Sequence, residues 1–288
     1  MKEVKLEMQH QALLFPLLKN IQIPLSEYCF ANLYFFRNTH QYRVINRNED
    51  LFLSGISYDK KRYLMPLQDL NESEEYRDEL MNLGKESGYD MLFPIPEVWL
   101  AYFEENGFEI DHLEQDSDYL YTSEKMRSYS GRKLHKKRNL LKQFVENYDS
   151  DLQALTELNI HDPLELLDLW QTASTQEMCN SDYYQCRDAL IHRDSFNLQG
   201  AVFYADGNAV GFMIGEAISD NVFAIHFAKG DTSAKGIYQF MFNRFTEKFC
   251  TAYEFINLEQ DLGIEGLRKT KRSYLPDHMA HKYRIHLK

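Results

Sequence analysis

The chain has little of what would settle its chemistry at a glance. Its four cysteines, Cys29, Cys179, Cys186 and Cys250, are scattered, and no histidine pair accompanies them. That spacing excludes a zinc knuckle, so free and mostly buried thiols are expected. The ten histidines show no metal-ligand spacing, and no serine or cysteine sits in a nucleophile motif. No apolar run reaches the roughly 18 residues of a membrane-spanning helix. Residues 1–19 lack a signal-peptide cleavage pattern, and a soluble, cytoplasmic protein without a transmembrane segment is expected. Positive charge is also scarce: 32 Lys and Arg against 44 Asp and Glu leave a net charge of −12. That balance argues against a general nucleic-acid binder.

What is present is a large apolar inventory and an uneven charge distribution. Hydrophobic residues make up 44% of the 288 and aromatics 14%, enough for two domains with cores of their own. Residues 124–142 hold eight Lys and Arg against one Glu, and residues 268–288 hold seven against one Asp. Setting aside these +7 and +6 segments leaves 248 residues carrying −25. Cations concentrated in two places suit an anion met locally, although a solvated helix face carries such charges too.

Hydrophobic periodicity orders the chain into two similar halves. In the first, Pro16 interrupts an apolar LLFPLL, and an aromatic helix is expected over 26–37 from its Ser26 start. Strands follow over 41–46, 51–58 and 62–67, then a helix over 74–86 that buries Tyr76, Leu80 and Leu83 and ends at Gly88. A buried strand at 91–95, a helix at 97–105 and an extended piece at 108–121 complete that half. A basic amphipathic helix beginning near Ser128 connects to the second half, with Leu134, Leu141, Phe144, Val145 and Tyr148 on its apolar side. Residues 152–158 suit strand or helix, and helices are expected over 164–172 and 181–192. Strands over 201–204 and 209–217 flank the hairpin turn Asp206-Gly207-Asn208. A strand at 221–228, a long helix at 233–250, a strand at 254–260, a helix at 265–274 and a closing strand at 278–287 end the chain.

Three antiparallel strands, a helix and then a parallel strand is the order of the acetyltransferase-like (GNAT) fold. Its appearance twice predicts an α+β protein of two tandem GNAT-like domains, 1–125 and 126–288, each a mostly antiparallel mixed sheet flanked by helices. Aligning Tyr89 with Tyr253 sets Asn257 against Phe93, Glu259 against Ile95 and Gln260 against Pro96. Buried without partners, such polar groups would each cost about 1–3 kcal/mol or more. The second half is therefore expected to carry the site, and the first to be scaffold.

The segment 254–276, EFINLEQDLGIEGLRKTKRSYLP, is the focus of that expectation. Strand alternation puts Asn257, Glu259 and Asp261 on one face. A turn at Gly263 leads into a helix bearing Arg268, Lys271 and Arg272 on one side, until Pro276 ends it. Asn257, Glu259, Asp261, Arg268 and Lys271 are expected to line one pocket. On the preceding strands, His226 and Glu216 suit either a catalytic role or a satisfied structural one. Arg132, Lys133, Lys136, Lys137 and Arg138 are expected to form an anion-binding surface.

The segments LSEYCFANLYFFR (25–37), SGRKLHKKRNLLKQF (130–144), KGIYQFMFNRF (235–245) and NLEQDLGIEGLRKTKRSYLP (257–276) resemble the family of proteins similar to the C-terminal domain of phosphatidylglycerol lysyltransferase. The resemblance covers essentially the whole chain and implies a tandem GNAT fold. It also implies an aminoacyl- or acyl-group transferase. Membrane-bound members move an aminoacyl group from aminoacyl-tRNA to a phospholipid headgroup, and similar tandem folds pass amino acids to peptidoglycan precursors. The donor implied is aminoacyl-tRNA or acyl-CoA, and the acceptor a small molecule or a lipid headgroup. Glu259 and Asp261, with His226 and Glu216, then become candidates for catalysis. Asn257, Arg268, Lys271 and Arg272 become candidates for holding substrate. Acyl-CoA enzymes of this fold cradle pyrophosphate in a Q/R-x-x-G-x-G/A turn, whereas 229–236 here read KGDTSAKG, with Asp231 where a phosphate would lie. That turn disfavours a CoA-dependent N-acetyltransferase. A non-catalytic anion- or nucleotide-binding protein that kept the fold stands as the alternative from another class.

Overall fold

The computed structural model describes residues 2–174, 178 and 181–287, so Cys179 lies outside the described residues. The chain divides into two compact units. The first comprises Met1–Asp118, Gln260–Arg268 and Met279–Lys288, and the second Tyr119–Glu259 and Lys269–His278.

The sheet of the first unit has seven strands. They are β1 (Lys2–Lys5), β2 (Arg43–Arg47), β3 (Asp50–Ile56), β4 (Arg62–Pro66), β5 (Met91–Ile95), β6 (Ile110–His112) and β14 (Tyr283–His286), in the spatial order β1-β2-β3-β4-β5-β14-β6. Strands β2, β3 and β4 pair antiparallel, and β5 joins β4 in parallel through Tyr63↔Met91 and Leu64↔Leu92. A parallel neighbour needs a crossover, and helix α3 (Glu74–Glu86) supplies it. Ser73 caps that helix by accepting the Tyr76 N–H, and Tyr76, Leu80 and Leu83 bury its inner face. The remaining helices of this unit are α1 (Gln11–Ile21), α2 (Phe30–Phe35) and α4 (Leu100–Glu105). Helix α1 runs through Pro16, where an interruption was expected. The aromatic segment at 26–37 splits into the 3-10 turn Ser26–Tyr28 and α2, broken at Cys29, which is extended.

The second unit repeats the plan. Its strands are β7 (Asp118–Thr122), β8 (Ser150–Ala154), β9 (Gln199–Ala205), β10 (Asn208–Ala217), β11 (Val222–Gly230), β12 (Phe255–Asn257) and β13 (His278–Ala280), ordered β13-β7-β12-β11-β10-β9-β8. Asp206 and Gly207 both have positive φ, 51° and 78°, as a two-residue hairpin between β9 and β10 requires. Helix α9 (Ile237–Phe249) crosses over to β12, which pairs in parallel with β11. Helices α5 (Ser123–Ser128), α6 (His135–Asn147), α7 (His161–Ala173), α8 (Tyr183–His192) and α10 (Glu265–Arg272) complete the set. Helix α10 is cut by the division between units after Arg268.

The core of the second unit sits between α6, α9 and the sheet. Phe144 stacks on Phe240 with ring centroids 4.7 Å apart, and both are buried. Burying aromatic rings of this size is worth about 1.5–3 kcal/mol each. Gly236, with φ at 97°, lets α9 start against α6, because a Cβ there would lie 2.4 Å from the Leu140 carbonyl oxygen. Of the apolar side expected for α6, Leu134 and Phe144 are buried, whereas Val145 is 42% exposed. Cys29, Cys186 and Cys250 are buried thiols outside any disulfide.

The units differ from a single cut between residues 125 and 126. Strand β14, from the C-terminal end, pairs antiparallel with β5 of the first sheet, and β7 pairs antiparallel with β12 of the second. In both sheets the strand added beyond the parallel one comes from the distant part of the chain. Alternation marks such a segment as a strand but carries no information on which sheet edge takes its hydrogen bonds.

Candidate active site

The site is built where β11 departs from regular pairing. Ile214 of β10 pairs with Phe227, but the next residue, Gly215, pairs with Ile225, so His226 is the extra residue of a bulge. Bulges re-aim a side chain. Gly215 is needed opposite it, since a Cβ would come within 2.0 Å of the Ala224 carbonyl oxygen. Register resumes with Glu216↔Ala224.

Two carboxylates hold the His226 ring. Nδ1 lies 2.8 Å from Glu259 Oε1, and Nε2 lies 3.2 Å from Glu216 Oε1. The side chains of His226, Glu216 and Glu259 are 1%, 10% and 14% exposed. Ionised carboxylates only accept hydrogen bonds, so both ring nitrogens donate when both Glu side chains are charged. The cluster is then an imidazolium between two carboxylates with a net charge of −1. Imidazole and carboxylate side chains in direct hydrogen-bond contact can pass a proton between them.

Glu259 itself is fixed through its backbone. Strand β12 ends at Asn257, and Glu259 adopts φ of 59°, a left-handed conformation unusual for a side chain without a local amide. Its N–H donates to Asn257 Oδ1 at 2.6 Å. Its carbonyl accepts from Lys271 Nζ at 3.1 Å and from the Tyr119 N–H at 3.3 Å. Lys271 Nζ also sits 5.8 Å from the Tyr119 ring centroid, and the Tyr121 hydroxyl donates to the Lys271 carbonyl at 2.7 Å. Asn257, fully buried, is therefore a backbone clamp where substrate contact was expected.

Strand β12 ends early, at Asn257. Alternation cannot run on from Asn257 through Glu259 to Asp261 when Glu259 and Leu262 both have positive φ. Asp261 and Arg268 belong to the first unit and serve each other there. Arg268 Nε donates to Asp261 Oδ2 at 2.8 Å and Nη2 to Oδ1 at 2.9 Å, while the Gly263 N–H donates to Oδ1 at 2.8 Å. A bidentate pair that also ties a turn is a structural lock. Arg272 is exposed on the last turn of α10.

The basic segment separates into two groups. Arg132, Lys133 and Lys136 are exposed. Arg138 donates through Nη1 to the carbonyls of Tyr129 and Gly131, the latter at 2.7 Å. Lys137 Nζ lies 3.7 Å over the Tyr274 ring and donates to Ser273 Oγ at 2.7 Å. Burial pulls the Lys137 ammonium down to about 8. In the turn after β11, Asp231 Oδ1 accepts the Ser233 N–H at 2.9 Å, so the loop keeps its own carboxylate where a phosphate-cradling turn has free amides.

Sequence reasoning missed the charges buried in the first unit. Lys282, Glu27 and Asp118 meet there, with Lys282 Nζ at 2.7 Å from Glu27 Oε2 and from Asp118 Oδ1. These residues stand far apart in the chain and share no motif. Only Lys282, a charge inside the apolar-polar alternation of the closing segment, was a visible signal.

The family model for the C-terminal part of phosphatidylglycerol lysyltransferase matches residues 19–286. The chain belongs to this family. A conserved protein of unknown function from Bacteroides thetaiotaomicron VPI-5482 superposes with a TM-score of 0.87 at 23% identity, covering 100% of both chains. L-PGS from Bacillus licheniformis superposes with a TM-score of 0.60 at 14% identity, covering 92% of each. An uncharacterised protein of Mycoplasmoides gallisepticum (strain R(low / passage 15 / clone 2)) is 25% identical over 183 residues, 62% of this chain. The chain spans 58% of the length of that curated relative. Each unit has the GNAT-like order of strands. Among the described residues no helix is long and apolar enough to cross a membrane.

Proposed function

We propose that the chain is a cytoplasmic aminoacyl-group transferase in which Glu259, His226 and Glu216 handle the proton. The observation that carries this reading is the imidazole bound at both nitrogens by carboxylates, on a bulge, with Glu259 held in a strained backbone conformation. An acceptor amine or hydroxyl forms the new bond to the aminoacyl carbonyl carbon, and the ester bond to the donor oxygen breaks. One proton leaves the nucleophile and one reaches the leaving oxygen. Glu259, the more exposed of the two carboxylates, takes up the first, and the coupled imidazole and Glu216 keep the cluster's charge nearly constant while it passes on.

Aminoacyl-tRNA suits the donor role better than acyl-CoA, because Asp231 fills its own turn and Gly236 is spent on contact with α6. Arg132, Lys133 and Lys136 are the exposed cations available to tRNA phosphates. The acceptor is an amine or hydroxyl on a small molecule or a lipid headgroup. A binding protein without catalysis is the second reading, favoured by the burial of His226 with both nitrogens occupied.

The test is transfer of a labelled amino acid from a mixed pool of aminoacyl-tRNAs to small amines, amino sugars and phosphatidylglycerol vesicles. Wild-type protein should discharge at least one aminoacyl-tRNA, and His226→Ala should not. Undiminished tRNA binding without discharge of any aminoacyl-tRNA would favour the binding protein.

A further inference from the structure

Buried ionisable groups also gather inside the first unit, around a cavity of about 20 Å³ lined by Glu27, His40, Tyr42, Tyr63, Asp116 and Arg284 among others. The fully buried Lys282 Nζ contacts Glu27 and Asp118, and also Gln260 Oε1 at 2.7 Å and Ser26 Oγ at 3.2 Å. Arg284 pairs with Asp59 through Nη1 at 2.9 Å and with Asp116 through Nη2 at 2.7 Å. Three buried carboxyl groups, Glu27, Asp116 and Asp118, with Asp59 exposed beside them, therefore surround two cations. A buried excess of negative charge is relieved either by protonating a carboxyl or by admitting a cation.

The cavity wall fits the second course. Burial pushes the Glu27 carboxyl up to about 7, with Asp118 adding to the rise and Lys282 opposing it. Burial lowers the pKa of His40 and favours its neutral ring. With Nδ1 only 2.8 Å from the Ile56 carbonyl, the hydrogen sits on Nδ1 and leaves Nε2 an acceptor. Tyr42 and Tyr63 supply aromatic surface. Arg284 is 6% exposed, and its Nε–H is buried without a hydrogen-bond partner among the described residues. The wall thus combines acceptors and ring faces for a cation with one donor awaiting an oxygen.

We propose that this cavity seats the primary ammonium group of a small ligand, a neighbouring oxygen of which accepts the hydrogen bond from Arg284 Nε. The space holds about one or two waters, so only the ammonium end enters. The rest of the ligand leaves past Tyr58, which also lines the cavity, is 45% exposed and packs edge-on to His40 at 4.9 Å. Amino acids and amino alcohols share this chemistry. None of these residues takes part in the His226 cluster, so the proposal stands independently of the transferase reading.

The experiment is thermal melting and calorimetric titration of the full chain with ethanolamine and, separately, glycine. Ethylene glycol serves as the control lacking the ammonium, and ammonium chloride as the control lacking the oxygen. Ethanolamine, glycine or both should raise the melting temperature by about 2–4 °C well above their Kd, and whichever does so names the source. Ethylene glycol should have no effect. Glu27→Gln should abolish the shift. Should that variant fail to fold, Tyr58→Ala at the rim should weaken calorimetric binding. Wild-type affinity should also fall several-fold from pH 8 to pH 6 as Glu27 takes up a proton. Among the described residues, the other charged or titratable groups around Glu27 include Lys282, Asp118, Arg284, Asp59, Asp116, His40, Tyr28, Tyr42 and Tyr63. Equal shifts with ethylene glycol, no shift with either amine, or unchanged binding in both variants would overturn the proposal.

Discussion

Asn257 Oδ1 accepts the backbone N–H of Glu259 at 2.6 Å, and this one bond joins the end of β12 to a residue in the left-handed region. The clamp explains how a carboxylate can be presented from irregular backbone with the precision of a strand. Replacing Asn257 with Ala leaves a buried donor without its partner and frees the strained turn. The variant should lose about 1–3 kcal/mol of stability, read from urea unfolding, whereas Asn257→Asp should retain most of it.

Gly236 gives a second stability test. Its φ of 97° and the nearness of Leu140 O leave no room for a side chain. Gly236→Ala, at a positive φ with no room for a Cβ, should destabilise by more than about 1 kcal/mol, and should loosen α6 from α9. Hydrogen exchange on the α6 amides would report that loosening. An Ala variant as stable as wild type would remove packing as the reason for this glycine.

Lys137 ties stability to alkaline pH. Its folded-state value of about 8 lies below the ordinary 10.5, so above pH 8 the folded chain binds fewer protons than the unfolded chain. Stability contributed through this group is therefore lowest below pH 8 and recovers as pH rises towards 10.5. Lys137→Met, which keeps the apolar stem, should flatten the stability profile in that window. A slope identical to wild type would show that another group is responsible.

The exposed and the committed cations should separate on mutation. Reversing Arg132, Lys133 and Lys136 to Glu should weaken tRNA or heparin binding and flatten its salt dependence, with little change in melting temperature. Arg138→Ala should instead lower the melting temperature, because two carbonyls lose their donor. Wild-type polyanion affinity after triple reversal would reduce the patch to a solvated face.

These outcomes bear on how far the chain could be read without its fold. The repeated order of three antiparallel strands, crossover helix and parallel strand was legible, because β3 to β5 and β9 to β11 are short, almost continuously buried runs and Asp206-Gly207 marks its turn. The exchange of β7 and β14 was not, since a sheet edge selects its partner by geometry. Glu216, His226 and Glu259 were each visible as candidates. Their grouping was hidden, because the bulge at His226 and the left-handed Glu259 interrupt the periodicity on which facing arguments rest. The same interruption made Asp261 look like a neighbour of Glu259 on one face. In the fold it is Arg268's partner.

The most direct measurement is the single-turnover rate of amino-acid transfer from aminoacyl-tRNA by Glu259→Gln, with a melt of the same preparation. Glutamine keeps the shape and an oxygen that can still accept from His226, but it cannot take the proton. The account expects transfer at least about tenfold slower, roughly 1.4 kcal/mol of transition-state stabilisation, at an unchanged melting temperature. Transfer at the wild-type rate would contradict it, as would a loss of stability that by itself accounts for the slower rate.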